Sequence, residues 1–405
     1  MSQEKLKVVL LSETYAPDMG YLENVLPEYM SLLGMEVHVV TMDLQPYYQY
    51  SSGIGDSGIG RDDDRLTPGT VRIMDGYSVH VLGHKKRLGY MRMTGLFAKL
   101  RELRPDIVQT TAAIGWTAMD AAMGRLLLGY RLFTGSHNAA SGFRPAREGY
   151  QSFAEYLRDR CTRYIPGRMV SLLTSKCYAS TSDCAEIAYK FFGVQRAKTE
   201  TMHLGVDTRT FRPIISDEDI ASRRRVREGL GFSPDDIVCI YTGKLTMQKN
   251  AIILGRAIEI LRLDGRPFRG LFVGNGEEAT RIATVPGSTV MSSIPFRHLV
   301  KYYQAADIAV WTGNESISTL DAAACGIPVI ISDAVRYREH IDGNGLVFRF
   351  GDIDDLCRQL HYLMDPDTRR LLGSRGADKM RTGWSWESRA RQRRADYQAA
   401  LGDRK

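Results

Sequence analysis

"GNESISTLDAAACGIPVIIS", residues 313–332, follows the strand-like run "ADIAVW" (306–311). The intervening "TGNESIST" reads as a loop, a helix starts near Ser318 or Thr319, and "IPVIIS" reads as a second strand. Strand, loop, helix and strand within about 30 residues is a βαβ unit, which predicts a parallel sheet. Two carboxylates mark the stretch. Glu315 sits in the loop and Asp321 in the first helical turn. An acid there suits the positive end of a helix dipole, which alone accounts for Asp321; it is also placed to accept hydrogen bonds from ribose hydroxyls. "AAACG" supplies small residues for close packing against a neighbour.

The same alternation runs outward through the chain. "LKVVLLS" (6–12), "MEVHVVTMD" (35–43), "PDIVQTT" (105–111) and "GYRLFTGSHN" (129–138) read as strands of one lobe, with "GTVRIMDGYSVHVL" giving two more. A helix is read from Tyr21 to Leu33, starting late or kinked at Pro27. "LLTSKCYASTSDCAEIAYKFFG" reads as a strand and a helix capped by a serine or aspartate. A charged stretch, "SDEDIASRRRVREGLG" (216–231), separates this half from the next. The pattern then restarts with "DIVCIYTGKL", "FRGLFVGNG", "TVMSSIP", "IPVIISD" and "GLVFRF". The chain therefore reads as two doubly wound α/β lobes with a boundary near 213–235 and a separate charged helix at 384–401. In such sheets, ligands bind at the carboxyl ends of the strands.

The 405 residues suit two or three domains at roughly 150 residues each. Hydrophobic content of 43% and charged content of 25% are those of a globular protein. No apolar run reaches the ~18 residues of a membrane-spanning helix, and the N-terminus does not read as a signal peptide, so a cytoplasmic location is expected. The six cysteines lack metal-type spacing and read as free thiols. A net charge of +7 points to an anionic partner without choosing among phosphates, nucleic acid and lipid.

Three loops after strands carry the chemistry. In "YTGKLTMQKN" (241–250), Lys244 and Lys249 stand beside a helix start, where two cations and free N–H groups can grip a diphosphate. Two solvated lysines on a turn are the plain alternative. In "LFVGNG", Gly274-Asn275-Gly276 ends a strand and permits close backbone approach, or is a simple turn. In "GNESIST", main-chain N–H groups of Ser316, Ile317, Ser318 and Thr319 can face an anion.

Together, their order and spacing resemble glycosyltransferase family 4 (glycosyl transferases group 1). Members of that family have the GT-B fold, two facing Rossmann-like domains with a C-terminal helix crossing back. "GKL....K" keeps the family's five-residue cation spacing, with Lys244 at an arginine position. "DAAACGIPVIIS" matches the family's acid, small-residue and Gly-x-Pro-Val run, and "HLGVDTRTFRP" resembles the segment that ends the N-terminal domain. The resemblance implies an acceptor-binding domain over 1–213, a nucleotide-sugar-binding domain over 214–383 and the returning helix over 384–405. It implies a retaining, metal-independent transfer from a UDP- or GDP-linked sugar to a glycan or lipid-linked acceptor, with no cofactor. Lys244 and Lys249 take the diphosphate, the 274–276 and 316–319 segments hold the donor, and Asp321 takes the ribose. In the first lobe, Gly20 of "PDMGY" corresponds to a loop glycine near the donor phosphate. His137 of "LFTGSHN" contacts the donor sugar, although a loop histidine bonded to nearby backbone is the alternative. The acids here are six apart, where the family has eight. The first acid position falls on Gly313 without a gap, or on Glu315, the acid in the loop, if the loop is shortened; Glu315 is preferred. Lysine for arginine replaces a bidentate fork with a point charge. A non-catalytic partner of the same fold, or a nucleotide-sugar epimerase, remains the competing reading.

"RDDDR" (61–65) suggests an Asp-x-Asp metal site, but its glycine-rich setting reads as a solvated loop. The segments 83–105 and 156–168 are basic with interleaved apolar residues. They read either as a surface for anionic lipid headgroups, placing the protein peripherally on a membrane, or as packed helices with a solvated basic face. Nucleic acid is not expected, since no such motif is present.

Overall fold

The structure is a computed structural model that describes residues 5–17, 19–44 and 66–402. Among the described residues, 5–204 and 386–402 form one compact unit and 205–385 a second. The Ser-Gly-Ile-Gly repeat and the "RDDDR" stretch lie outside the described residues.

The first unit runs β1 (Lys7–Leu11), α1 (Leu22–Leu32), β2 (Glu36–Met42), β3 (Val71–Ile73), β4 (Tyr77–Leu82), β5 (His84–Arg87), β6 (Tyr90–Met93), α2 (Leu96–Leu103), β7 (Ile107–Thr110), α3 (Trp116–Leu128) and β8 (Arg131–Ser136). It continues with α4 (Arg144–Glu148), α5 (Phe153–Asp159), a π-helical turn Arg160–Tyr164, α6 (Ile165–Leu173), β9 (Thr174–Ala179), α7 (Ser182–Lys190) and β10 (Thr199–Thr201). Its sheet has the order β10-β9-β8-β7-β1-β2-β4-β3, parallel except for β3. Helix α1 starts at Leu22 and runs through Pro27 without ending there. Pro27 only withholds the N–H that the Glu23 carbonyl would otherwise accept. The N-cap of α7 is Thr181, whose hydroxyl accepts from the Cys184 N–H, rather than the serine or aspartate expected.

The second unit runs α8 (Asp217–Gly229), β11 (Ile237–Thr242), α9 (Ile252–Leu263), β12 (Phe268–Val273), α10 (Ala279–Ala283), β13 (Ser288–Met291), α11 (Val300–Ala305), β14 (Ile308–Trp311), α12 (Ser318–Ala324), β15 (Val329–Ser332), β16 (Gly345–Phe348), α13 (Ile353–Tyr362) and α14 (Pro366–Gly383). Its sheet is wholly parallel, in the order β13-β12-β11-β14-β15-β16. Every residue of β11, β14 and β15 is buried. That is why these strands read as unbroken apolar runs: helices cover both faces of the sheet.

Two charged segments gain structural roles. Residues 217–229, read as a charged stretch, form a helix with a capping box. The Ser216 hydroxyl accepts from the Asp219 N–H at 3.2 Å, and Asp219 accepts from the Ser216 N–H at 3.1 Å. Arg223 and Arg227 then reach Asp307, just before β14, at 2.6 and 3.1 Å. The C-terminal helix α15 (Trp386–Gly402) packs on the first unit through Trp386, Ala390, Arg393 and Tyr397, spaced for one helix face. Asp396 accepts from Lys176 at 2.7 Å and from Tyr178 at 2.9 Å.

The basic segment 83–105 is mostly not helical. It forms the antiparallel hairpin β5–β6, turned at Leu88-Gly89, both with positive φ. Only α2 follows, and it turns Leu96, Leu100 and Leu103 inward. Residues 156–168 span α5, the π turn and the start of α6. No helix is long and apolar enough to cross a membrane among the described residues.

Candidate functional site

In the second sheet, strand order reverses between β11 and β14. At such a switch point, the loops leaving adjacent strands diverge to opposite faces and open a crevice for ligands. The loops that leave β11 and β14 are 243–250 and 312–317, two of the three picked out in the sequence. The third, 274–278, leaves the neighbouring β12.

Glycines bring the three loops into contact. A Cβ on Gly274 would overlap the Gly243 carbonyl, and one on Gly276 would overlap the Leu245 carbonyl. A Cβ on Gly313 would lie 2.6 Å from the Lys249 carbonyl oxygen. Main-chain bonds follow the same lines: Gly243 N–H to the Val273 carbonyl at 3.1 Å, and Leu245 N–H to the Asn275 carbonyl at 2.9 Å. The Asn275 side-chain oxygen accepts from the Ser293 N–H at 3.2 Å. Gly274-Asn275-Gly276 is therefore the seam between two loops.

This packing delivers the cations. Lys249 Nζ donates to the Glu315 carbonyl at 2.9 Å. Burial pulls the Lys249 ammonium below its usual range, while the Glu315 charge opposes that shift and Lys244 adds to it. Burial also lowers Lys244. Two partly desolvated ammonium groups thus stand at the switch point, where an anion would relieve their mutual repulsion. Beside them, the Ser316 and Ile317 N–H groups make no backbone bond among the described residues. Thr319 is turned inward, its hydroxyl and its N–H both directed at the Ser316 carbonyl, at 2.7 and 3.4 Å. The Ser318 hydroxyl bonds to the Tyr303 phenol.

Asp321 lies on the inner face of α12, only 4% exposed. Burial, then the charge of Asp207, holds its carboxyl well above the usual carboxylate range.

In the first unit the order reverses between β1 and β7. Gly20 ends the loop after β1, two residues before α1, and His137 follows β8 directly. The His137 ring folds back over Gly135, where a Cβ would sit 3.0 Å from Nε2. The residue is exposed to solvent, and the protein beside its ring, then the Arg393 charge, lower the imidazole from its usual value.

Four polar groups near these loops carried no motif signal. Glu13 follows β1, accepts from the Thr117 hydroxyl at 3.4 Å and is raised by burial. Glu23, in the first turn of α1, is pushed up to about 7 by burial. Asn314 has a buried side-chain oxygen without a partner among the described residues. Arg393 is 2% exposed, stacks 4.6 Å from the Tyr178 ring and leaves one guanidinium nitrogen without a bond among the described residues. For Glu13, the available signal was its place directly after a strand. Arg393 lies far off in the C-terminal helix and gave none.

Two family models match the chain in tandem. "Glycosyltransferase Family 4" matches residues 25–210 and "Glycosyl transferases group 1" matches residues 236–366. The chain belongs to the group 1 glycosyltransferases. Among curated relatives of this family, a D-inositol 3-phosphate glycosyltransferase of Xylanimonas cellulosilytica is 27% identical over 241 residues, covering 56% of this chain and 58% of its own length. The chain thus spans little more than half the length of the curated relatives it matches. Among solved structures, sucrose-phosphate synthase from Thermosynechococcus elongatus superposes with a TM-score of 0.71 at 18% identity, covering 98% of this chain and 100% of that one. Anabaena HepE in complex with UDP and glucose gives 0.69 at 15% identity, covering 97% and 99%. These likenesses assign this group 1 glycosyltransferase chain the GT-B fold of two Rossmann-like domains.

Proposed function

We propose that the chain transfers a hexose-type sugar from a nucleoside diphosphate donor to a glycan or lipid-linked acceptor, with retention and without a metal. The carrying observation is Lys249 at the switch point of the second sheet, 2.9 Å from the Glu315 carbonyl, with Lys244 on the same loop. As the bond from the anomeric carbon to the phosphate breaks, the diphosphate gains charge, and two preorganised ammonium groups stabilise it most at that moment.

The other roles follow the same division. Ser316 and Ile317 offer N–H groups to phosphate or sugar oxygens, with Ser318 beside them. Thr319 shapes the helix entry, and the 274–276 seam fixes the donor loop. Asp321 binds the ribose diol by hydrogen bonds to its hydroxyls. Glu315 contacts the sugar. The packing of Gly313 against Lys249 supports this choice, because position 313 has no room for an acidic side chain. In the first unit, which takes the acceptor, Gly20 shapes the loop after β1. His137 serves the donor sugar as a hydrogen-bonding group. The UDP complex of the similar fold supports a UDP-linked donor, and GDP-linked sugars are the second class. The basic surface of the first unit supports a peripheral location on an anionic membrane face.

The test is donor consumption, read as released nucleoside diphosphate across a panel of UDP- and GDP-sugars. One sugar donor should be consumed, and Lys249→Ala should slow the reaction by 100-fold or more. Equal rates in wild type and Lys249→Ala would remove the diphosphate role.

A further inference from the structure

A cavity of about 460 Å³ opens in the first unit between the β5–β6 hairpin, the start of α2 and one side of α3. The hairpin register decides what lines it. Lys85 lies opposite Arg92 and Arg87 opposite Tyr90. Side chains alternate along a strand, so Lys85, Arg87 and Arg92 share one face, and all three line the cavity.

The three cations are not equivalent. Arg92 is neutralised by Asp120 through two bonds of 2.7 Å and lies 4.8 Å from the Trp116 ring. The Trp116 indole in turn donates to the Arg87 carbonyl at 3.0 Å, which fixes that strand. Lys85 and Arg87 are exposed and have no acidic partner among the described residues. Between them they leave two positive charges uncompensated at the cavity mouth. Helix α2 also begins there without a side-chain cap, at Gly95, which adds partial positive charge. The opposite wall is apolar and open to water: Phe97 is 41% exposed, Met123 51% and Leu127 71%.

A cationic mouth joined to an exposed apolar wall complements an anion that carries a hydrocarbon tail. We propose that this cavity binds the phosphate-bearing head of an amphiphile, with Lys85 and Arg87 on the phosphate and the tail along Met123 and Leu127. A free sugar uses neither feature. A free phosphate uses only the cations. The inference rests on the glycosyltransferase reading and narrows its acceptor class to a lipid phosphate.

The experiment is calorimetric titration of the full chain with dihexanoyl phosphatidic acid below its micelle concentration. Glycerol phosphate and dihexanoyl glycerol serve as the tail-less and phosphate-less probes. Phosphatidic acid should bind at least tenfold more tightly than either. Lys85→Gln with Arg87→Gln should weaken it tenfold or more, and Met123→Gln with Leu127→Gln several-fold, with thermal midpoints unchanged because these residues are largely exposed. If paired substitution lowers the midpoint, Lys85→Gln alone should still weaken binding several-fold. Equal binding by wild type and the Lys85/Arg87 variant, or by dihexanoyl glycerol, would overturn the proposal. Equally tight glycerol phosphate would leave a phosphate site and overturn the amphiphile. A parallel UDP titration separates the two readings. Loss of amphiphile binding with UDP binding intact sinks this inference alone, and absence of UDP binding sinks the donor reading instead.

Discussion

Lys249 Nζ donates to the Glu315 main-chain carbonyl at 2.9 Å, across 66 residues of chain. The bond ties the loop after β11 to the loop after β14. One cation thereby both organises the loop that carries the acid and remains available to a diphosphate.

By its spacing to Lys249, Lys244 resembles the arginine of the family's loop. Lys244→Arg should restore a planar fork that meets phosphate in two parallel bonds. Affinity for the preferred nucleoside diphosphate should rise several-fold in a calorimetric titration. Unchanged or weaker binding would show that Lys244 does not face phosphate.

The glycine seam gives a stability test. Gly313→Ala places a methyl group 2.6 Å from the Lys249 carbonyl oxygen and should cost about 1–3 kcal/mol or more by forcing the loops apart. Gly229→Ala, at the end of α8 with nothing within 4 Å, should be neutral or slightly stabilising. Thermal denaturation of the two variants checks the contrast.

Glu23 makes a pH test. Burial raises its carboxyl to about 7, so the folded chain holds a proton there that the unfolded chain has released. Its stabilising contribution is complete below the unfolded value near 4.5 and is lost as pH rises through about 7. Glu23→Gln should match wild type at pH 4 and exceed it at pH 8, by on the order of 1–3 kcal/mol. A constant difference across that range would contradict the assignment.

Asp396 anchors the C-terminal helix through Lys176 and Tyr178. Asp396→Ala leaves a lysine and a phenol without their acceptor and should cost about 1–3 kcal/mol. Hydrogen exchange should show faster amide exchange across 386–402 than elsewhere in the first unit.

The two doubly wound sheets were legible because parallel strands covered on both faces are written as continuous apolar runs, as in "IVCIYT". The switch-point loops were legible because each follows such a run and holds lysine, glycine or acid. The hairpin at 84–93 was not. Its strands are built of lysine, arginine and methionine, and it turns on Leu-Gly rather than the usual Asn-Gly. The helix at 217–229 was hidden by its charge, although the Ser216-x-x-Asp219 box announces its start. What the charges do there depends on Asp307, some 80 residues away, and no local pattern carries that. The burial of Asp321, and Arg393 near His137, are also products of packing between distant segments.

The central claim is a nucleoside diphosphate site in the second unit. It is tested most directly by the thermal midpoint of the full chain with UDP, GDP, ADP and dTDP, with and without EDTA, in wild type and Lys249→Ala. A rise with UDP or GDP in the wild type, unaffected by EDTA and absent in Lys249→Ala, is the expected result. No rise with any of the four at millimolar concentration, or an equal rise in Lys249→Ala, would contradict it.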